Sequence, residues 1–209
     1  YHNIMFALVE SGSITKMLSG TRGITIDGIQ HPRAIFSLWT EAERNAIGIY
    51  EITIDNSKRK DEKWYINTDI TYAFSGGKVT GSYGDATAKK HADTKWTQQQ
   101  IDDGKAPEGA DTDTVAVEGL KTVLIRQVKI ESESELNKTD WYVVRKAEES
   151  TAIPSAITTH RRAVRSKAAA METSITNASD TPALETLYTY TKQEDGSVTR
   201  PLGEIPTLD

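Results

Sequence analysis

TEAERNAIGIYEITID, residues Thr40 to Asp55, changes its periodicity halfway along. Thr40 can cap a helix, Glu43 three residues later completes a capping box, and Gly48 supplies the C-terminal stop. From there Tyr50, Ile52 and Ile54 alternate with Glu51 and Thr53, the period of a strand with one face buried. A short helix that runs straight into a half-buried strand predicts an α+β fold.

The same style continues on both sides. Upstream, Ile4 to Val9 reads as an apolar strand closed by the turn Ser11-Gly12-Ser13, and Ile24 to Gln30 as a hairpin turning at Asp27-Gly28 before Pro32 ends the pairing. Downstream, Trp64, Ile66, Tyr72 and Phe74 supply strand-forming side chains, and Ser75-Gly76-Gly77-Lys78 is a further hairpin turn. Residues 1–84 are therefore expected to form a small, mostly β N-terminal module with one short helix. Residues 85–114 are polar, contain Pro107 and several glycines, and read as a linker, or as a segment ordered only by contact with a neighbour.

The period then becomes helical. Val117, Leu120, Val123/Leu124 and Val128 form one stripe, and Thr139-Asp140 can cap a short helix through Trp141 to Glu149. Ile157, Val164, Ala168, Met171 and Ile175 mark a longer helix with Pro154 suited to its first turn. This gives a helical segment over residues 115–178. Residues 179–209 are expected to return to β structure, with a strand through Leu187 to Lys192, a hairpin turning at Asp195-Gly196, and an extended tail.

Composition narrows the function classes. The 209 residues are 37% hydrophobic and 26% charged, with a mean hydropathy of −0.51, which suits a soluble protein with much solvated surface. A net charge of −5 is a poor match to nucleic acid, which rewards clustered Lys and Arg. The absence of cysteine removes disulfides and thiol chemistry. The opening YHNIMFALVE lacks the basic region and cleavage site of a signal peptide, and no apolar run approaches the ~18 residues of a membrane span. A cytosol, or a particle assembled in one, is the expected setting.

Candidate chemistry is sparse. Asp140, beside Trp141 and Tyr142 and near Arg145 and Glu148/Glu149, could be a carboxylate made more basic by an aromatic neighbour. No second carboxylate or histidine is spaced to share a proton transfer, so Asp140 is read as a helix first-turn charge and Trp141 as an inward-packed anchor. His2, His31, His91 and His160 are dispersed without metal-site spacing, and the aspartates between Asp102 and Asp113 lack the ligand order of a calcium loop. The basic run His160 to Lys167 is read as a solvated face, or as salt-bridge partners for the acidic stretch Glu131 to Glu135. No nucleophile elbow or phosphate loop is present. No catalytic, metal-binding or cofactor-binding residue is assigned.

Two stretches resemble known families. FALVESGSITKML together with LWTEAERNAIGIYEITID resembles the N-terminal module of tailed-phage tail-fibre and tail-assembly proteins, the likeness being carried by Gly48, Ile49 and Tyr50. Leu136 to Arg165 is similar to the phage tail assembly chaperone-like domain: Thr139, Asp140, Trp141, Ile153, Pro154, Arg162 and Arg165 match its signature. The resemblance implies a non-enzymatic structural or adaptor component of a bacteriophage tail, near the baseplate or fibre attachment. It would be assembled in the host cytoplasm, reside in the virion, form homo-oligomers and contact other phage tail proteins, with no nucleic acid or membrane partner. The interface residues it implies are Trp141, Tyr142, Asp140, Pro154, Arg162, Arg165 and Tyr50. Two alternatives are an assembly chaperone absent from the mature particle, and a glycan-binding tail protein presenting Trp64 or Trp96.

Overall fold

A computed structural model describes residues 6–209, so Ile4 and Met5 of the first expected strand lie outside the described residues. The fold is α+β, with a mostly β N-terminal half, helices in the middle and a short hairpin near the C-terminus. The chain divides into two compact units, Tyr1–Thr87 and Ala88–Asp209.

In the first unit the strands are β1 (Phe6–Glu10), β2 (Ser13–Leu18), β3 (Ile24–Ile26), β4 (Ile29–His31), β5 (Ile49–Asp55), β6 (Tyr65–Ile66), β7 (Thr71–Ser75) and β8 (Lys78–Ser82). Helices α1 (Ile35–Leu38) and α2 (Glu41–Ala46) separate β4 from β5. Five strands form a mixed sheet in the order β2-β1-β5-β8-β7, in which only β5 and β8 run parallel. The β3–β4 hairpin turns at Asp27 and Gly28, whose φ angles of +49° and +77° suit a two-residue turn. Phe6, Leu8, Leu18, Ile24, Ile26, Ile35 and Ile49 form the core beneath the sheet, with Phe36, Trp39 and Ile47 packed at its margin.

The expected capping box is formed. Glu43 N–H donates to the Thr40 hydroxyl at 3.2 Å, and Thr40 N–H donates to the Glu43 carboxylate at 2.8 Å. Gly48 then reverses the chain at φ +89°, and Val9 N–H donates to its carbonyl at 2.7 Å. A Cβ at position 48 would lie 2.5 Å from the Val9 carbonyl oxygen. The helix-to-strand switch and the β1–β5 pairing thus pass through one residue that must lack a side chain.

The second unit begins within β9 (Thr87–Ala88) and continues with β10 (Thr94–Lys95), α3 (Gln98–Asp102) and β11 (Val115–Val117). Its helices are α4 (Leu120–Asn137), α5 (Asp140–Glu149), α6 (Ser155–Asn177) and α7 (Thr181–Tyr188), followed by the hairpin of β12 (Thr191–Lys192) and β13 (Val198–Thr199). Helices α4 and α6 pack together. The buried apolar residues of this unit are Leu124 and Val128 on α4, Ile157, Val164, Ala168, Met171 and Ile175 on α6, Leu184 on α7 and Leu202 near the end.

Three expectations about this unit are corrected by the structure. The polar stretch read as a linker is built into the second unit: β10 pairs with β11, and Asp93 accepts hydrogen bonds from Gly119 N–H at 2.7 Å and the Thr122 hydroxyl at 2.6 Å. Leu120 and Lys121 N–H donate to the Lys90 and His91 carbonyls, both at 3.0 Å. The stretch lacks apolar periodicity because its work is polar: it satisfies the unpaired first-turn donors of α4. Val117, read as part of the α4 stripe, lies instead on β11 and is exposed.

The third correction concerns Thr181 to Tyr188, which form a helix before the expected hairpin. Asp180 caps it by accepting from Ala183 N–H at 2.8 Å, and Pro182 sits in its first turn. Leu184 is buried, with Leu187 and Tyr188 half-buried at helical spacing. The alternation of Leu187, Tyr188 and Tyr190 spans a helix end and a strand start, and imitates a single strand.

Gly48→Ala is expected to lower the stability of the first unit by at least about 2 kcal/mol, combining a strained positive φ with a backbone collision. Denaturant unfolding followed by intrinsic fluorescence measures it; an unchanged midpoint would refute this account of the turn.

Candidate functional site

The residues implied by the sequence fall in two places. Tyr50 belongs to the first unit, where its ring lies 4.9 Å from that of Phe74, at an interplanar angle of 55°. Asp140, Trp141, Tyr142, Pro154, Arg162 and Arg165 belong to the second, around the corner where α4, α5 and α6 meet.

Arg161 organises that corner. It is buried, and one guanidinium nitrogen donates to the Leu136 carbonyl at 2.8 Å and to the Thr139 hydroxyl at 2.7 Å. Its other terminal nitrogen is 2.9 Å from the Asp140 carboxylate. Thr139, also buried, donates its hydroxyl to the Leu136 carbonyl at 3.1 Å. The sequence predicts that Thr139 caps α5, but it makes no side-chain capping bond. Its hydroxyl is turned back to α4, where it joins the Thr139 N–H and Arg161 as donors to the Leu136 carbonyl.

Arg162 and Arg165, the arginines matched by the resemblance, are both exposed. The structural arginine of this helix is Arg161, and a signal for it was present. The buried α6 residues run 157, 161, 164, 168, 171 and 175, so Arg161 fills the gap of seven in the apolar stripe. Pro154 directly precedes α6, and its carbonyl accepts from Ile157 and Thr158 N–H.

A second polar cluster lies beside it. Glu135, nearly buried on α4, is 2.6 Å from Lys138 Nζ, accepts Leu208 N–H at 3.0 Å, and lies 3.1 Å from His160 Nε2. The Lys138 hydrogen bond first, and then the Leu208 N–H, hold its carboxyl below the ordinary glutamate value of 4.5, against the opposing effect of burial. Of the acidic stretch Glu131 to Glu135, this end residue is the one that reaches the basic run of α6, through His160.

Helix α5 itself contains no buried residue. Trp141, expected to pack inward, is 51% exposed, and Val143 and Val144 are 42% and 53% exposed. The inward position is taken by the backbone of the α4–α5 turn and Arg161, so the indole is left on the surface. There it stacks on Tyr142 with ring centroids 3.7 Å apart and planes 27° from parallel. The Arg145 guanidinium lies 5.0 Å from the Trp141 ring centroid and 5.5 Å from that of Tyr142. Arg145 Nε is buried by this packing and has no hydrogen-bond partner among the described residues. The result is a preordered aromatic and guanidinium surface with apolar neighbours, suited to contact with another macromolecule.

Of the tryptophans considered for sugar stacking, Trp64 is buried and Trp96 half-buried. No protein-family model, curated protein or solved structure matches the chain.

The corner generates two predictions. Arg161→Ala is expected to destabilise the second unit by about 2–3 kcal/mol, by removing the buried side chain that ties the Leu136 carbonyl, the Thr139 hydroxyl and the Asp140 carboxylate together, while Arg162→Ala stays within about 0.5 kcal/mol of the parent. Chemical denaturation of the two variants checks this, and equal effects would sink it. For Glu135 the folded-state value is lowered, so its stabilisation is present above 4.5 and disappears as pH falls through the depressed folded value. Melting temperature should therefore fall on acidification below that point, with a shallower fall in Glu135→Gln; parallel curves for the two proteins would contradict it.

Proposed function

We propose that the chain is a non-enzymatic assembly protein, a structural or adaptor component of a bacteriophage tail near the baseplate or fibre attachment, which contacts neighbouring tail subunits and copies of itself. The observation that carries the interaction reading is the exposure of Trp141, Val143 and Val144 on a helix with no buried face. Trp, Tyr and Arg are the residue types that dominate binding energy at protein interfaces, and α5 presents one of each in a stacked group. The assignment to a phage tail rests on the likeness of Leu136 to Arg165 to tail assembly chaperone-like sequences. Within that stretch, Asp140 and Thr139 hold the corner with Arg161, Trp141 is exposed, and the half-buried Tyr142 stacks on it. Location in a virion, formed in the host cytoplasm, is part of the same proposal.

The helix corner supports a division of labour. Arg161 and Glu135 fix α4 and α6, and α5 is held out from them as the contact element. Such a surface costs stability little when altered but costs association much.

Trp141→Ala should lower the melting temperature by no more than a few degrees, because the covered half of the indole lies against Tyr142 and Arg145 of its own helix rather than in the core. The same substitution should weaken self-association or subunit binding at least tenfold, read by light scattering and by co-purification with tail proteins. Mass spectrometry of purified particles decides the location. Stoichiometric presence supports a virion component; absence from particles, with binding to a tail subunit before assembly, would replace it with the transient chaperone.

A further inference from the structure

The first unit holds a cleft of about 610 Å³, within the size range of small-ligand sites, and the assembly proposal makes no use of it. Its wall includes the rings of Tyr50 and Phe74, which are half-buried and 4.9 Å apart. Ile26 and Ile47 add apolar surface. Two carboxylates also line it: Glu10 at the end of β1, and Asp27 at the tip of the β3–β4 hairpin.

Among the described residues, no lysine or arginine contributes to the lining. Arg44, in the adjoining helix, is committed elsewhere: its guanidinium lies 5.3 Å from the Phe6 ring centroid and donates to the Trp39 carbonyl at 2.5 Å. The cleft therefore combines aromatic rings, aliphatic surface and two carboxylates; His31 also lines it, its ring edge-on to that of Trp39 at 5.7 Å, and no lysine or arginine does. An anionic ligand would meet like charges there. A cation would be attracted both by the ring faces and by the carboxylates.

We propose that this cleft binds a cationic head, a guanidinium or primary ammonium, carried on an apolar stem. The stem would lie along Tyr50, Phe74 and the isoleucines, with the head between Glu10 and Asp27. That is the chemistry of an arginine or lysine side chain, or of a free alkylamine.

The test is a titration of the isotope-labelled full chain followed by amide NMR. One arm uses pentylguanidine, a single guanidinium on a five-carbon stem; a second uses Nα-acetylarginine methylamide, which adds a peptide backbone; a third uses pentylurea, the neutral isostere of the first. The expected result is saturable shifts confined to amides around Glu10, Asp27, Gly48, Tyr50 and Phe74. Binding should weaken at least tenfold with pentylurea and in the Glu10→Gln/Asp27→Asn double variant. Both substitutions keep shape, and Asn tolerates the positive φ at position 27, so an otherwise unchanged spectrum verifies folding. Tighter binding of the acetylarginine probe assigns the head to a protein side chain, and tighter binding of pentylguanidine assigns it to a free alkyl cation. Absence of saturable shifts with either cation at millimolar concentration overturns the proposal. Equal binding of pentylurea, or unimpaired binding by the double variant, also overturns it.

Discussion

The second unit depends on one guanidinium in its interior. A helix that ends inside a packed corner leaves carbonyls with nothing to donate to them, and such groups are costly unless satisfied. Arg161 answers this with one terminal nitrogen on the Leu136 carbonyl and Thr139 hydroxyl, and its other on the Asp140 carboxylate. Asp140 remains half-exposed, so the pair is not buried on both sides and avoids the full desolvation cost of an interior ion pair. The direction taken by α5 is set by this geometry, because its first residue is tethered to α6.

That tether leaves order unevenly distributed. The α4 and α6 faces are interlocked by aliphatic residues and closed at one end by Glu135, which gathers Lys138, His160 and the chain terminus through Leu208. Helix α5 contributes nothing to that core and is fixed by its ends and by its own side-chain stack. Elements with few buried contacts lie at the low-stability end of a fold, where binding surfaces are commonly found.

Much of the first unit was legible because its signals are local. The Thr40–Glu43 box and the Gly48 stop each lie within a few residues and both form; the strand from Tyr50 forms too, with Tyr50 and Ile52 half-buried but Ile54 exposed and the neighbouring Ile49 fully buried. The helices of the second unit were legible for the same reason, through the Ile157 to Ile175 stripe. What was not legible involves partners far apart in the chain. Asp93 accepts from the N-cap residue of α4, Gly119, 26 residues later, and Thr181 donates to the carbonyl of Lys89 across 92 positions. Trp141 misled because an aromatic beside a helix start is usually an anchor; here a basic residue on α6 occupies the corner instead. Arg161 was hidden by its own charge, which excluded it from an apolar stripe whose spacing it completes.

The neck formed by Asp93 has a consequence for engineering. Between β10 and β11 the chain makes an excursion whose two ends are pinned by strand pairing and by the Asp93–Gly119 hydrogen bond. Its tip from Lys105 to Gly109 carries little but exposed and half-exposed side chains, and nothing lies within 4 Å of a Cβ placed at Gly104 or Gly109. Since the entropy of closing a loop grows only logarithmically with its length, each doubling costs about 0.6 kcal/mol. A foreign peptide inserted there would be displayed without disturbing the capped start of α4, which makes this tip the natural place for a label or fusion.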